Sequence, residues 1–417
     1  MSDYWNNQPS PGLMTSFDPA SLKPPTHTVE QFVELEHDNG ARKYDPLPLV
    51  IARARGSWVQ DTQGERYIDM VSGHSTLNQG HRHPHIVAAL KAQADRLTLT
   101  SHCVHHDQLG PFLSILSELT GFEAVLPLSS GAEAIAIGVK AARRWARTVK
   151  GTPDGMAEII VAKGGFGDRA VGVDDGVAAK LFSPGFRVVP YGDEAAIKAA
   201  ITPKTAAILI APVCVDGGML VPPKDYLARV RELCDEHRVL LFVDELQTGL
   251  GRTGKMFAVE HSGIRPDCMA IGKALGGGIY PVSAFVADRS VMDVLDVDDL
   301  DSPFGGNPLA AAVGTASLEV IAREGLVERA EILGETLMTS IREIDSPHVL
   351  DVRGLGLLIG IEIKPESGSA QSFCEALMHH RVIARDVQQH VLHLAPPLNI
   401  DDIDVDWALS RLKEVLL

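Results

Sequence analysis

Lys273 stands near the head of Ile271-Gly-Lys-Ala-Leu-Gly-Gly-Gly-Ile-Tyr-Pro-Val-Ser-Ala284, a basic side chain set in a glycine-rich and otherwise apolar run. An ammonium held among small and apolar groups loses hydration, which lowers its pKa and frees the amine to attack a carbonyl carbon. That is the setting of a Schiff-base lysine. Taken alone, the run reads equally well as a surface turn whose lysine reaches out to water.

A second motif weighs against the surface turn. Arg238-Val-Leu-Leu-Phe-Val-Asp-Glu-Leu-Gln-Thr-Gly-Leu-Gly-Arg-Thr-Gly254 begins as a β-branched and apolar stretch, the pattern of a strand buried on both faces, and delivers Asp244 at its carboxyl end. Open α/β sheets bind ligands at that end. An acid closing one strand, and a lysine some thirty residues later at the end of another, fit pyridoxal 5′-phosphate. Asp244 would pair with the pyridine nitrogen and Lys273 would hold the aldehyde. At an effective dielectric near ~20, such an ion pair favours the protonated ring by a few kcal/mol, and that ring is the electron sink for carbanion chemistry.

Other stretches extend the pattern: Tyr44-Asp-Pro-Leu-Pro48, Asn78-Gln-Gly-His81, Leu97-Thr-Leu-Thr-Ser101, Val125-Leu-Pro127, Phe304-Gly-Gly-Asn-Pro-Leu309 and Ala395-Pro-Pro-Leu398. With these motifs the chain resembles the class III (fold type I) pyridoxal-phosphate-dependent aminotransferases, most of all their ornithine aminotransferase branch, from about Thr28 to the C-terminus. The resemblance implies an α/β fold: a large domain on a mostly parallel sheet of the seven-stranded type flanked by helices, plus a smaller α+β domain. It also implies a homodimer with active sites shared at the subunit interface.

Several residue roles follow from the resemblance. Ser129-Ser-Gly-Ala-Glu-Ala134 opens a helix, whose amides and dipole can bind a phosphate; alone it reads as an ordinary N-cap, and in family register Ser130, Gly131 and Ala132 form the phosphate cup. Phe166 matches the aromatic residue that stacks on the cofactor ring, and Gln247 the residue that bonds the ring hydroxyl. Arg169 matches a substrate-carboxylate binder, although the residues around it, Gly167-Asp168-Arg169-Ala170, depart from the family pattern. Tyr44 and Arg169 would place the distal end of an ornithine-like donor.

The substrate half of the site departs further. Where relatives carry an arginine that grips the substrate α-carboxylate through a bidentate fork, the chain has His393, in Val391-Leu-His-Leu-Ala-Pro-Pro-Leu398. The acid that partners that arginine is Asp216 here, which suggests a shorter, pH-sensitive Asp216–His393 pair. A family tyrosine is replaced by His74, and a threonine that crosses the dimer to the phosphate by Pro303, leaving Ser302 to substitute. Loss of a bidentate arginine contact costs a few kcal/mol, or roughly several hundredfold in binding, which puts ordinary use of 2-oxoglutarate in question.

Composition excludes other classes of function. The formal net charge of −16 disfavours nucleic-acid and anionic-membrane partners, which need clustered Lys and Arg, and points to a small-molecule amine or amino-acid substrate. Five scattered cysteines, an odd number without close pairs, read as reduced thiols of a cytoplasmic protein. No secretory signal or membrane-spanning run stands out. His81, His83, His85, His102, His105 and His106 are interrupted by Pro84 and read as turn structure rather than a metal site.

Along the chain, residues 1–43 read as a partly disordered arm with a short helix over Thr28 to His37. Residues 44–95 form the N-terminal part of the small domain, 96–308 the large cofactor-binding domain and 309–417 the C-terminal small domain. The first functional reading is a specialised biosynthetic enzyme in which Lys273 shuttles a proton and the carbanion is diverted to β/γ-elimination or carbon–carbon bond formation, for example on an amino acid with a γ leaving group such as S-adenosylmethionine. The alternative is an ordinary ω-amino-acid (ornithine-like):2-oxo acid aminotransferase. A catalytically silent binding protein is a third reading, opposed by the intact Lys273, Asp244 and Gln247.

Overall fold

Two strands carry the chemistry of the chain, and the fold is built so that their ends lie side by side. In the computed structural model, which describes residues 27–41, 46–165, 185–296, 299 and 302–417, helix α1 (Val29–Asn39) opens with a capping box between Thr28 and Gln31 and buries none of its residues. Strands β1 (Ile51–Arg55), β2 (Trp58–Asp61) and β3 (Arg66–Asp69) form an antiparallel meander. Helices α2 (Pro84–Ala94) and α3 (Leu109–Thr120) lead into the large sheet.

That sheet comprises β4 (Ala124–Leu128), β5 (Glu158–Ala162), β6 (Phe186–Val189), β7 (Thr205–Ile210), β8 (Leu240–Asp244), β9 (Cys268–Ile271) and β10 (Ser283–Ala287), in the order β4-β10-β9-β8-β7-β5-β6. Strand β10 runs antiparallel to both neighbours and the other pairings are parallel. Every residue of β7 and β8 is buried, which explains why these strands read as continuous apolar runs instead of alternating ones. Helix α4 (Gly131–Trp145) packs on one face, and Gly138 permits the close approach: a Cβ there would lie 2.3 Å from the Phe242 ring. Phe242 in turn meets Phe285 edge to face, with centroids 5.7 Å apart. Helices α5 (Glu194–Ala200) and α6 (Tyr226–His237) complete the connections.

The C-terminal part contains α7 (Pro308–Arg323), α8 (Leu326–Arg342), β11 (Val349–Leu355), β12 (Leu358–Ile363), α9 (Ala370–His379), β13 (Val382–Ile383), β14 (Arg385–Val387), β15 (Val391–Leu394) and α10 (Asp402–Leu416). Strands β11-β12-β15-β14 form an antiparallel sheet. Strand β13 instead joins the N-terminal meander, pairing parallel with β3, so segments far apart along the chain meet in one sheet. No described helix is long and apolar enough to cross a membrane.

Candidate active site

Asp244 ends β8, is buried, and accepts the Leu246 N–H at 3.1 Å. Its Cα partner across the parallel ladder is Ala270 of β9, so Lys273 leaves the neighbouring strand three residues further on. The acid and the lysine therefore emerge at the same edge of the sheet, as their separate positions at strand ends require.

Glu245 beside Asp244 is fully buried. It accepts the Val259 N–H at 2.8 Å and the Thr248 hydroxyl, yet burial outweighs these bonds and raises its pKa to about 7. Unfolded, the group titrates near 4.5. Between these values the folded chain holds a proton that the unfolded chain releases, so this group's contribution to stability falls as pH rises through the window. Glu245→Gln is expected to flatten that slope, measured as urea midpoints at pH 5 and pH 8; an unchanged slope would refute the assignment.

Lys273 is half-buried and adopts φ +48°, the left-handed region that non-glycine residues rarely occupy. Such strain costs on the order of 1–3 kcal/mol and persists only where surrounding structure imposes it. Here the tight turn Lys273–Gly276 follows directly on β9, and the Lys273 ammonium donates to the His74 carbonyl at 3.1 Å. His74 belongs to a run of left-handed residues, Ser72, Gly73, His74 and Ser75, with φ between 45° and 62°. Asp69 holds this run by accepting the Val71 and Ser72 N–H groups at 2.9 and 2.8 Å, and the Ser72 hydroxyl donates to the Ala395 carbonyl at 2.6 Å.

Arg252 is completely buried behind that run. It donates to Asn78 Oδ1 through Nε and Nη2 (3.2 and 2.6 Å), to the Leu357 and Pro396 carbonyls (3.0 and 2.5 Å) and to Ser72 Oγ (3.2 Å). Burial lowers its pKa to about 9, with only the Asp69 charge opposing the shift. One guanidinium thus ties the segments carrying His74, Asn78, Leu357 and Pro396 together.

Helix α4 points its N-terminus into a cavity of about 400 Å³ whose lining includes Thr76, Ser129, Ser130, Gly131, Lys273 and Tyr280. Ser130 is the N-cap, and its hydroxyl accepts the Glu133 N–H. The Ser129 hydroxyl is buried and unpartnered, a candidate that the sequence reading passed over because either serine of the pair could cap the helix. Gly131 is small of necessity: a Cβ there would lie 2.8 Å from the Leu246 side chain, which also blocks one at Gly272 at 2.9 Å. Ala132 is exposed in the first turn, next to Gly131. Ser302 is buried, and its hydroxyl donates to Glu133 at 2.8 Å within the same chain.

The substrate side departs from the Asp216–His393 pair suggested by the sequence. His393 lies on β15, fully buried, with neither ring nitrogen hydrogen-bonded. Burial, then the positive charges of Arg385 and Arg252, hold its pKa well below the usual histidine range, so the ring is neutral. Asp216 instead accepts from Gln247 Nε2 at 3.4 Å, and its backbone carbonyl accepts from Gln388 at 2.6 Å. The carboxylate also acts on His74, opposing the fall of its pKa. The His74 ring is pushed down to about 4 by desolvation and by Arg385 and Lys273. Gln247 Oε1 is buried and unpartnered. Tyr44, Phe166 and Arg169 lie outside the described residues. Histidines 81, 83 and 85 bond Asp69, Glu324 and Glu319 at 2.7, 2.9 and 2.8 Å, which accounts for them as turn and helix anchors.

This sheet, with an acid and a lysine at adjacent strand ends facing a helix N-terminus, has the architecture of a fold type I enzyme. The profile described as aminotransferase class-III matches residues 39–416, and the chain belongs to that family. It is 46% identical over 399 residues to the ornithine aminotransferase of Bacillus subtilis (strain 168), covering 93% of this chain and 98% of that one, and 45% identical over 391 residues to that of Brevibacillus brevis, covering 92% and 97%. The solved ornithine aminotransferase of Toxoplasma gondii ME49 superposes with a TM-score of 0.91 at 35% identity, over 95% of this chain and 96% of that one. An acetylornithine aminotransferase from Elizabethkingia anophelis superposes at 0.86 with 39% identity, over 94% and 99%. The enzyme is accordingly pyridoxal-phosphate-dependent.

The residues present fit that cofactor. The buried Ser129 hydroxyl and the helix mouth suit a phosphate, and the buried Gln247 Oε1 is an open acceptor suited to a ring hydroxyl. The Asp244 carboxylate suits a protonated ring nitrogen and the Lys273 amine an aldehyde.

Proposed function

We propose that the enzyme transfers the terminal amino group of an ornithine-like donor to a 2-oxo acid. The observation carrying this reading is the convergence of Lys273, Asp244 and the α4 N-terminus on one edge of the sheet, in a chain 46% identical to an ornithine aminotransferase. When bound, pyridoxal phosphate supplies an electrophilic aldehyde and a ring that delocalises the electron pair left by a broken C–H bond. Lys273 Nζ holds the aldehyde, yields its place to the donor amine, and then carries the proton at the donor carbon. Asp244 keeps the ring nitrogen protonated and Gln247 orients the ring.

Ser129, Ser130 and the first-turn amides of Gly131 and Ala132 anchor the phosphate. Phe166 would stack on the ring, as the family register implies. Tyr44 and Arg169 place the distal end of the donor, and His74, Asp216 and His393 shape the pocket around it. Ser129→Ala is expected to weaken cofactor binding roughly 2- to 10-fold, the worth of one neutral hydrogen bond, read by titrating the apoprotein. An affinity equal to wild type would remove Ser129 from the cup.

The test of the function uses ornithine labelled with ¹⁵N at the terminal amine, with 2-oxoglutarate as acceptor. Label should appear in glutamate one for one with the ornithine consumed. Consumption of an amino acid without label transfer would sink the reading.

A second reading rests on His393, a buried neutral imidazole where family relatives carry a carboxylate-binding arginine. With that grip gone, pyridoxal phosphate bound here would support elimination or carbon–carbon bond formation in a specialised biosynthetic step. Mass analysis of products from an amino acid with a γ leaving group, such as S-adenosylmethionine, would reveal it.

We also infer a homodimer. Supporting it, a second cavity of about 430 Å³ lies beside the phosphate end, lined by Ser129, Glu133, Tyr280, Ser302 and Phe304, and Phe304 is 54% exposed in the single chain. A second subunit closing that opening would bring its own Ser302 region to the phosphate. A monomeric mass in solution would refute this. Its free cysteines, four of them buried, support a cytoplasmic setting.

A further inference from the structure

The residue at 393 is a histidine, but the cross-strand register places an arginine directly beside it. On β14, Arg385 is the Cα partner of His393 on β15, and His393 is in turn the partner of Gly360 on β12. Directly opposed residues in an antiparallel pair project to the same face, with Cβ atoms about 4.5–5.5 Å apart. Arg385 and His393 therefore stand side by side, and Gly360 adds no side chain to the row.

The next residue of the row is Arg353 on β11, the partner of Gly360. It is fully engaged: it donates to the Gly218 and Met219 carbonyls at 2.7 and 3.1 Å and pairs with Asp351 and Glu362. Those bonds seat the loop after Asp216 against this face of the sheet, and the same loop carries the Asp216 carboxylate bonded to Gln247. Arg385 differs from Arg353. It is half-buried, and among the described residues it has no hydrogen-bond or ion-pair partner. A half-buried guanidinium lacking an acid is an unusual arrangement for a structural residue, because its five donors need acceptors.

Arg385 is also the leading positive charge acting on both His74 and His393, which agrees with its place beside position 393 in the register. The neutral His393 is compatible with it: a second cation at 393 would face Arg385 as a like-charge cross-strand pair.

We propose that Arg385 is the carboxylate-binding, specificity-determining residue of this active site, its guanidinium taking the substrate carboxylate from the strand adjacent to position 393. The ligand class is an amino acid or 2-oxo acid, bound through a two-point charge-assisted fork, with His393 as an uncharged neighbour. The inference deepens the aminotransferase reading and rests on it only for the identity of the donor.

The test measures binding of L-amino acids and of their decarboxylated amines to holoenzyme by calorimetry without an acceptor, beginning with L-ornithine and putrescine, and compares the acid-to-amine affinity ratio among variants. Arg385→Gln is expected to lower that ratio roughly 10- to 200-fold, the worth of hydrogen bonds to a charged group, with amine binding unchanged. Arg385→Lys should fall between, since it keeps the charge and loses the fork, and Arg385→Gln combined with His393→Arg should recover part of the ratio. If another L-amino acid binds in an Arg385-dependent manner while L-ornithine does not, the ornithine reading fails and Arg385 keeps its role. A ratio unaffected by Arg385→Gln, or a wild-type enzyme that prefers no acid over its amine, overturns the proposal whatever the donor.

Discussion

Lys273→Ala protein is expected to fold, to keep its affinity for simple carboxylates, and to lose amine transfer by at least about 10⁴-fold. Two roles vanish with one amine, the covalent hold on the aldehyde and the proton transfer at the donor carbon, and proton transfer alone contributes roughly 10²–10⁴. The side chain is half-buried and its hydrogen bond to the His74 carbonyl is replaceable by water, so a folding defect is not expected. Two readouts separate chemistry from stability. Borohydride should fix cofactor mass to the peptide carrying residue 273 in the wild type and leave the variant peptide unmodified. Added methylamine should restore a little transfer in the variant. Undiminished label transfer would place the covalent chemistry elsewhere.

Arg252→Met should produce the largest loss of stability of any single change in the site's support. Methionine fills much of the same space, but it strands Asn78 Oδ1 and two backbone carbonyls inside the protein. Each stranded buried group costs about 1–3 kcal/mol, so a total of roughly 3–5 kcal/mol is expected, allowing for relaxation. Arg252→Lys should recover only part of this, because an ammonium cannot reach acceptors arranged around a planar fork. The loss should read as a lower urea midpoint together with reduced activity, since Ser72 and Asn78 flank the segment that places His74. A Met variant with the wild-type midpoint would show that Arg252 is dispensable to the fold.

The cofactor side of the site was legible because each part of it is local. A fully buried strand writes itself as an unbroken apolar run, so β8 and Asp244 at its end could be read directly, and the glycines around Lys273 marked a tight turn. What sequence could not supply was register. The Asp216–His393 pair was inferred from family positions, but hydrogen bonding sends the Asp216 carboxylate to Gln247 and seals His393 in a sheet. Arg385 escaped notice for the same reason: eight positions from His393 along the chain, it becomes a neighbour only through the β14–β15 turn. Ser129 was hidden by redundancy, since two adjacent serines are equally good caps until one is seen to do the capping.

The parallel pairing of β13 with β3 bears on how the protein is made. Ile68 and Val382 are partners in one sheet although 314 positions separate them (382 − 68). A ribosome adding roughly 5–20 residues per second needs about 15–60 s to cover that distance. For that interval the meander β1-β2-β3 has been synthesised with the β3 edge still unpaired, a template open to other extended chains. The nascent enzyme thus carries the β3 edge open to aggregation until β13 has been made, and slowed translation through the final third should lower its soluble yield.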